Sequence, residues 1–255
     1  MGEGCLMATD VMPGHWYKNY ERGRPGYPNA VLDLVDLAPT AAVLDVAAGT
    51  GKFTQLLAAR FRRVVAVEPD HEMRHMLTVA CPEAVCLTGS ADRLPVADDS
   101  VDAVFVAQAF HWFDNEATLA EFARVLHPGG VVLVAWNVAT GEVTPDISPV
   151  LELLAPMWPD EFGFPLDMLR GDWSPTCWKL PYARATFSDI RTAHFANPQS
   201  VDPEGLVAFF GSMGWIANLP DTERLPLLKE LQSKLTSDHY SLPWRTRIEW
   251  TQSIA

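Results

Sequence analysis

The chain has few basic residues and no block of them. It is 255 residues long and carries 19 lysines and arginines against 32 aspartates and glutamates, which gives a formal net charge of −13 at pH 7. Because nucleic-acid phosphates bind a basic protein surface, this balance argues against DNA or RNA as a partner. A high net charge also keeps a protein soluble, and solubility is the simpler explanation of the acidity.

Long apolar runs and paired cysteines are also missing. No apolar run approaches the length that spans a bilayer, and residues 1–15 have neither a basic start nor an apolar core, so we expect neither membrane association nor a secretory signal. The four cysteines, Cys5, Cys81, Cys86 and Cys177, lack the paired spacing of metal ligands. We therefore expect reduced thiols, no metal site and a cytoplasmic protein.

The most informative segment is 43–53, Val-Leu-Asp-Val-Ala-Ala-Gly-Thr-Gly-Lys-Phe. An apolar run, a turn of small residues and a helical pattern follow one another, which predicts the strand, turn and helix N-terminus of a nucleotide-binding crossover. Gly49 and Gly51 allow a sharp turn and leave no Cβ between the main chain and a ligand. A second predicted strand ends at Glu68, 19 residues after Gly49, where a carboxylate can accept both hydroxyls of a ribose. The segment predicts a ligand built on adenosine.

Strand and helix patterns alternate along the first half of the chain. This alternation predicts an α/β fold with a parallel, doubly wound sheet and a ligand at its carboxyl edge. The predicted strands are 43–47, 64–68, 84–88, 101–107 and 130–136, and the predicted helices are 31–37, 51–60, 70–79 and 115–126. Further along, the pattern predicts strands at 186–195 and 244–251 and helices at 203–213 and 221–236.

One domain suits this length. We expect residues 1–15 to be disordered and residues 16–255 to form a single domain. Within it, segment 140–181 is rich in proline, tryptophan and phenylalanine. This texture predicts a helical and aromatic insertion after the fifth strand, which serves as a lid or a pocket wall at the ligand edge.

Two kinds of cofactor are candidates for the turn that contains Gly49 and Gly51. A dinucleotide site needs a third glycine three residues after the second, but Gly51 is followed by Lys52, Phe53 and Thr54. An acidic residue followed by Ala-Ala-Gly-Thr-Gly instead resembles the first motif of class I S-adenosylmethionine-dependent methyltransferases.

Four further features carry the resemblance. They are the Tyr-x-x-x-Arg-Pro-x-Tyr-Pro-like element at 20–28, Glu68, Gly-Ser-Ala-Asp-Arg-Leu-Pro at 89–95 and Ala-Gln-Ala-Phe-His-Trp-Phe at 107–113. The chain is similar to the small-molecule type of these enzymes, in the ubiquinone/menaquinone C-methylase-like and trans-aconitate methyltransferase-like group.

The resemblance implies a fold and a cofactor site. The fold would be a Rossmann-like, doubly wound seven-stranded sheet of order 3-2-1-4-5-7-6, with the last strand antiparallel. The cofactor would be S-adenosyl-L-methionine, with S-adenosyl-L-homocysteine as the product. In this reading Glu68 holds the ribose, and Ala91 and Asp92 bind the adenine. Arg24 faces the cofactor's carboxylate or, as the alternative, only anchors the N-terminal segment to the rest of the domain. The residues expected to bind the cofactor are Tyr20, Arg24, Asp45, Ala47, Ala48, Gly49, Gly51, Glu68, Pro69, Ala91, Asp92 and Gln108.

The acceptor side follows from the aromatic residues. His111 is the candidate catalytic base, because an unperturbed imidazole titrates near neutral pH; the alternative is that it only shapes the cofactor pocket. Tyr17, Trp112, Trp158, Phe164, Trp173 and Trp215 are the expected pocket residues. Their chemistry favours a small aromatic or lipophilic acceptor of natural-product type, methylated at carbon, nitrogen or oxygen. A pericyclase-like protein that binds the cofactor without methyl transfer, and a dinucleotide-dependent oxidoreductase, are the alternatives.

Overall fold

The computed structural model describes residues 14–139, 145–158 and 179–254. Seven strands form the central sheet: β1 Ala42–Val46, β2 Arg63–Val67, β3 Val85–Leu87, β4 Val101–Ala107, β5 Leu126–Ala139, β6 Arg191–Ala196 and β9 Trp244–Gln252. Two short strands, β7 Gln199–Val201 and β8 Tyr240–Leu242, form a separate antiparallel pair.

The helices lie between and around these strands. They are α1 Gly14–Gly23, α2 Lys52–Arg60, α3 His71–Ala80, α4 Glu116–Val125, α5 Ser148–Leu154, α6 Pro181–Thr186, α7 Pro203–Gly211, α8 Gly214–Ala217 and α9 Asp221–Ser233. Short 3-10 helices cover Asn29–Leu34, Phe110–Trp112, Pro145–Ile147 and Ala155–Met157. Within the described ranges, no helix combines the length and the apolar character that crossing a bilayer requires.

The sheet order is β3-β2-β1-β4-β5-β9-β6. β1 to β5 pair in parallel, whereas β9 runs antiparallel to both β5 and β6. Counted along the chain among the seven strands of the sheet, β9 is the seventh, so the order is 3-2-1-4-5-7-6. This confirms the predicted fold class, including the antiparallel last strand.

Buried apolar residues cover both faces of the sheet. One cluster packs α4 and α6 against β4 and β5, with Phe110, Phe122 and Phe187 among its members. A second packs α2 and the 3-10 helix at 29–34 on the opposite face, around Phe53 and Phe105. A third joins α5, α7, α8 and α9 to the β7–β8 pair. The sheet is therefore packed on both faces, and the third cluster is a separate, mainly helical core.

Three local predictions are wrong. The α-helix predicted at 31–37 is a 3-10 helix that ends at Leu34, since Val35 already has extended backbone angles. The strand predicted from Thr186 begins only at Arg191, because Thr186 is the last residue of the helix α6. Pro181 stands in the first turn of that helix, where its missing N–H costs nothing. The start predicted for the fifth strand, residue 130, is also wrong, because β5 begins at Leu126 and includes a bulge that Gly129 (φ 77°) accommodates.

The predicted disordered N-terminus falls almost entirely outside the described residues. The same holds for most of the predicted insertion, because positions 140–144 and 159–178 are not described. The described part of that insertion is helical, with α5 and the 3-10 helix at 155–157 following β5 and α6 leading on to β6.

Candidate functional site

The turn after β1 has an unusual backbone. Ala47, Gly49 and Gly51 all have positive φ angles, of 55°, 60° and 94°. Glycine adopts this conformation freely, whereas Ala47 does so under strain, and such strain concentrates at functional sites. The turn is tied to the next strand by the Ala48 N–H, which donates to the Val67 carbonyl over 3.1 Å. We call residues 47–51 the glycine turn.

The two glycines of this turn have different roles. A Cβ on Gly51 would lie 2.8 Å from Leu77 Cδ1 and 3.1 Å from Cys81 Sγ, so Gly51 allows α2 and α3 to pack closely. A Cβ on Gly49 would meet only Met73 Sδ, at 3.8 Å. Gly49 therefore leaves its backbone open toward the carboxyl edge of the sheet, as a ligand-binding turn requires.

Glu68 lies against the glycine turn, as its distance of 19 residues from Gly49 in the sequence predicts. Its Oε2 accepts the Gly49 N–H over 2.8 Å, and its Oε1 accepts the Asp70 N–H over 2.8 Å. The residue is only 5% exposed. Burial raises the pKa of this carboxyl, and the two backbone N–H groups oppose the shift. The carboxylate is thus held in one orientation, with further lone pairs able to accept hydroxyl groups.

Asp45 is a buried carboxyl with one unsatisfied oxygen. Its Oδ2 accepts the Thr54 hydroxyl over 2.6 Å, whereas its Oδ1 has no hydrogen-bond partner among the described residues. Burial raises its pKa to about 7, an effect that the Thr54 bond partly counters. A buried unpaired oxygen is costly, so its position in the wall of a cleft marks a place where a ligand or a water molecule can supply the partner.

That cleft lies between the glycine turn and the N-terminal segment. Its lining residues are Tyr20, Tyr27, Asp45, Ala47, Ala48, Gly49, Thr50, Lys52, Phe53 and Ala107. It encloses about 30 Å³, which is room for two or three water molecules. Five residues that the sequence assigns to a cofactor therefore line one cleft, and Glu68 contacts it through Gly49.

Helix α1 covers the cleft through bonds to the glycine turn and to α3. The Glu21 carboxylate accepts the Thr50 hydroxyl over 2.7 Å and forms an ion pair with Lys52 Nζ over 3.2 Å. Lys52 Nζ also donates to the Glu21 carbonyl over 2.6 Å. The Tyr17 hydroxyl donates to Asp70 Oδ2 over 3.1 Å, and burial together with Asp70 raises the pKa of Tyr17 to about 12.

Arg24 faces the C-terminal helices. Its Nε donates to Ser212 Oγ over 2.8 Å, and its guanidinium lies 5.7 Å from the Tyr20 ring centre and 5.2 Å from that of Phe209. Burial lowers the pKa of Arg24. A Cβ on Gly23 would lie 2.2 Å from the Phe209 backbone nitrogen, so α1 packs on α7 at backbone contact distance.

The remaining expected cofactor residues lie on loops that follow the strands. Ala91 is buried and Asp92 is exposed, within a turn closed by the Arg93 N–H and the Ser90 carbonyl. Pro69 is exposed directly after Glu68. Gln108, which has a φ of 59°, donates its N–H to the Ala135 carbonyl and its Nε2 to the Asn137 carbonyl. Gln108 thus fixes the end of β4 against β5.

His111 lies in the 3-10 helix directly after β4. Its ring centre is 5.2 Å from that of Trp112 and 5.5 Å from that of Trp136. Although the residue keeps an exposed surface, partial burial lowers its pKa to about 4. The imidazole is therefore neutral at pH 7 and able to accept a proton, but it is a weaker base than the unperturbed value indicates.

The other expected pocket residues are divided between places. Trp112 is 45% exposed beside His111. Trp158 and Trp215 contact each other at 5.6 Å within the helical cluster of α5 and α7–α9. Tyr17 bonds Asp70, two residues after Glu68. Phe164 and Trp173 lie outside the described residues.

Sequence reasoning missed the three polar lining residues Tyr27, Thr50 and Lys52, and two residues that bond to the lining, Glu21 and Thr54. Tyr27 and Glu21 belong to the element that the resemblance quotes, but neither was assigned a role. Thr50, Lys52 and Thr54 belong to the glycine turn or to the first turn of α2. Their position next to the motif was the available signal; their pairing with Glu21 and Asp45 depends on side-chain packing.

The donor and acceptor groups fit a ligand with a ribose and a positively charged end. Glu68 offers an anchored carboxylate, Gly49 leaves its backbone accessible, and Asp45 offers a buried oxygen that needs a cationic or N–H partner.

Comparison with known proteins gives a consistent family. The profile of the family described as "Methyltransferase domain" matches residues 44–134. An uncharacterized methyltransferase of Mycobacterium tuberculosis is 50% identical over 118 residues, which make up 46% of this chain and 49% of that protein. The match thus spans about half the length of this relative. A methyltransferase-like protein of Schizosaccharomyces pombe is 32% identical over 218 residues, covering 84% of this chain and 81% of that protein.

A solved structure shares the fold. A chain from Anabaena variabilis, described as a candidate methyltransferase of an antibiotic biosynthesis pathway, aligns with a TM-score of 0.59 at 20% identity. The alignment covers 86% of this chain and 94% of that one. Likeness at this identity concerns the architecture and does not extend to the substrate.

Proposed function

Because the chain belongs to the S-adenosylmethionine-dependent methyltransferases, we propose that it transfers a methyl group from S-adenosylmethionine to a small acceptor molecule. One observation carries the proposal beyond family membership. The buried carboxylate of Glu68 is anchored on the glycine turn, and the unsatisfied oxygen of Asp45 lies in the wall of the adjoining cleft. The two carboxyls suit the ribose and the cationic end of one ligand.

The residues that would hold the cofactor follow the carboxyl edge of the sheet. Glu68 accepts the ribose hydroxyls, and Ala91 and Asp92 bind the adenine. The methionine part lies in the cleft beside Tyr20, Asp45, Ala47, Ala48 and Gly49, while Gly51, Pro69 and Gln108 shape the surrounding loops and Arg24 holds α1 in place. When bound, the cofactor supplies a methyl group carried on a positively charged sulfur.

The chain's own residues would align the acceptor, exclude water and accept a proton. Tyr20 of α1 and Tyr27, which follows α1, line the cleft and shield it from solvent. The neutral ring of His111 can accept a proton on an imidazole nitrogen, although burial makes it a weaker base than an unperturbed imidazole.

The aromatic residues support an aromatic or lipophilic acceptor. His111 and Trp112, which follow β4, and Trp136 of β5 form one aromatic cluster, and Trp158 and Trp215 form a second aromatic pair among the helices. Flat aromatic faces bind aromatic rings by offset or edge contact and also stabilise nearby positive charge. We propose that the acceptor binds beside His111, Trp112 and Trp136.

Incubation of the purified protein with methyl-labelled S-adenosylmethionine and a panel of aromatic metabolites tests the proposal. We expect label in one chemical class of acceptor and stoichiometric S-adenosylhomocysteine. Tight binding of S-adenosylhomocysteine without label in any acceptor would favour a binding protein or a pericyclase-like enzyme. Binding of NAD without binding of S-adenosylhomocysteine would favour an oxidoreductase.

A further inference from the structure

The Glu21 carboxylate rests on two donors of the cofactor cleft. Its Oε2 accepts the Thr50 hydroxyl over 2.7 Å, and its Oε1 lies 3.2 Å from Lys52 Nζ. Thr50 is buried, and the Lys52 side chain is only 17% exposed. Both residues line the same cleft as Asp45. The Glu21 carboxylate of α1 is thus bound by the Thr50 hydroxyl and the Lys52 ammonium group on the wall of the cleft.

These donors form a carboxylate-binding set. A hydroxyl and an ammonium group can each donate to a carboxylate oxygen, and the ammonium makes its bond charge-assisted. Lys52 is also the first residue of α2, whose N-terminus favours negative charge. The same cleft is lined by Asp45, whose unpartnered Oδ1 is buried and requires a donor or a cation. The lining therefore offers partners for both charges of an amino-acid zwitterion.

Arg24 does not belong to this set. The family resemblance assigns it to the cofactor's carboxylate, but its guanidinium is bonded to Ser212 and lies over the rings of Tyr20 and Phe209. Its contacts hold α1 on the C-terminal helices. Within the described part of the cleft wall, Lys52 is the cationic residue.

We propose that Thr50 and Lys52 bind the carboxylate of the cofactor's methionine part, and that Glu21 is a displaceable substitute for it. The inference rests on the proposed function, since it concerns how the same cleft binds the same cofactor. The cofactor's carboxylate takes over the two donors as Glu21 leaves them, while its ammonium group pairs with Asp45. Glu21 therefore competes with ligands that carry an amino-acid end and not with ligands that lack one.

Two ligands distinguish competition between Glu21 and the ligand's carboxylate from effects of a substitution on ligand binding in general. S-adenosylhomocysteine carries the amino-acid end, whereas 5′-methylthioadenosine keeps the adenosine and sulfur but lacks the carboxylate and the amine. We would measure the affinity of both by calorimetry for the wild type, Glu21→Gln, Lys52→Met and Glu204→Gln. Thermal unfolding of each variant checks that it is folded.

Glu21→Gln should bind S-adenosylhomocysteine about fivefold more tightly, because the competing charge is lost from a partly exposed ion pair. The affinity for 5′-methylthioadenosine should not change. Lys52→Met should weaken S-adenosylhomocysteine binding by about tenfold or more and leave 5′-methylthioadenosine unaffected.

Glu204→Gln is the matched control. Glu204 pairs with Arg22 over 3.0 Å, so its loss weakens the attachment of α1 to α7 without touching the cleft. We expect the ratio of the two affinities to stay at the wild-type value in this variant.

Equal changes in both affinities for Glu21→Gln or Lys52→Met would overturn the proposal, because they would show that these residues only hold α1 closed. Unchanged S-adenosylhomocysteine affinity in both variants would overturn it as well. Failure of the wild type to bind either compound would instead contradict the proposed function.

Discussion

Replacing Glu68 with glutamine removes the charge of the carboxylate that we propose binds the ribose, and keeps its shape. In the wild type, its two oxygens accept the N–H groups of Gly49 and Asp70, each over 2.8 Å. Glutamine offers one oxygen and one NH₂ group, so one of these backbone donors faces another donor. The change therefore affects both cofactor binding and the backbone next to the site.

Two magnitudes follow from this geometry. A hydrogen bond to a charged, buried acceptor contributes about 1.5–3 kcal/mol, so Glu68→Gln should weaken S-adenosylhomocysteine binding by about 10- to 100-fold. The unsatisfied backbone donor should lower the free energy of unfolding by about 1–3 kcal/mol. Calorimetry measures the first effect, and urea unfolding without ligand measures the second.

Asp102→Asn is the control for the second effect. Asp102 Oδ2 accepts the Ala42 N–H over 2.7 Å, at the opposite edge of the sheet. This variant should lose unfolding free energy without losing affinity for S-adenosylhomocysteine. If Glu68→Gln bound S-adenosylhomocysteine as tightly as the wild type, the assignment of Glu68 to the ribose would be refuted.

Three further predictions concern the turn and the acceptor side. The folded protein keeps a proton on Asp45 up to about pH 7, whereas the unfolded chain releases it near pH 3.8, so this group makes the unfolding free energy fall as pH rises between those values. Asp45→Asn should remove about 3 kcal/mol of the fall between pH 5 and pH 8, as urea unfolding at those two pH values would show. Ala47→Gly should raise the unfolding free energy by about 0.5–1 kcal/mol, because glycine adopts the φ of 55° without strain; a loss of stability would contradict this reading of the turn. If His111 takes the proton, His111→Ala should lower turnover by about 10²–10⁴-fold and leave the affinity for S-adenosylhomocysteine intact. The turnover rate of the wild type should then show no ionisation of His111 between pH 6 and pH 9. An inflection near pH 6.5 that is lost in the variant would contradict the low pKa of His111.

The sequence predicts those parts of the molecule that depend on local pattern and parallel strand order. The contact of Glu68 with Gly49 was predictable, because β1 and β2 are parallel neighbours whose carboxyl ends meet at one edge. The β7 and β8 strands were not, since three residues show no periodicity. The Glu21 contacts were not predictable either, because the packing of α1 on α7 joins segments far apart in the sequence.

The position of β9 also has a consequence for folding kinetics. β9 lies between β5 and β6, and β6 is the edge strand of the sheet in the part of the chain that the structure describes. Pairing β5 with β9 closes a loop of roughly a hundred residues, which costs about 4 kcal/mol of chain entropy before the ladder forms. Contacts of such high sequence separation slow folding, so β1 to β5 should protect their amides from hydrogen exchange before β6 and β9 do. The cofactor edge of the sheet would then be assembled before the helices that help to cover it.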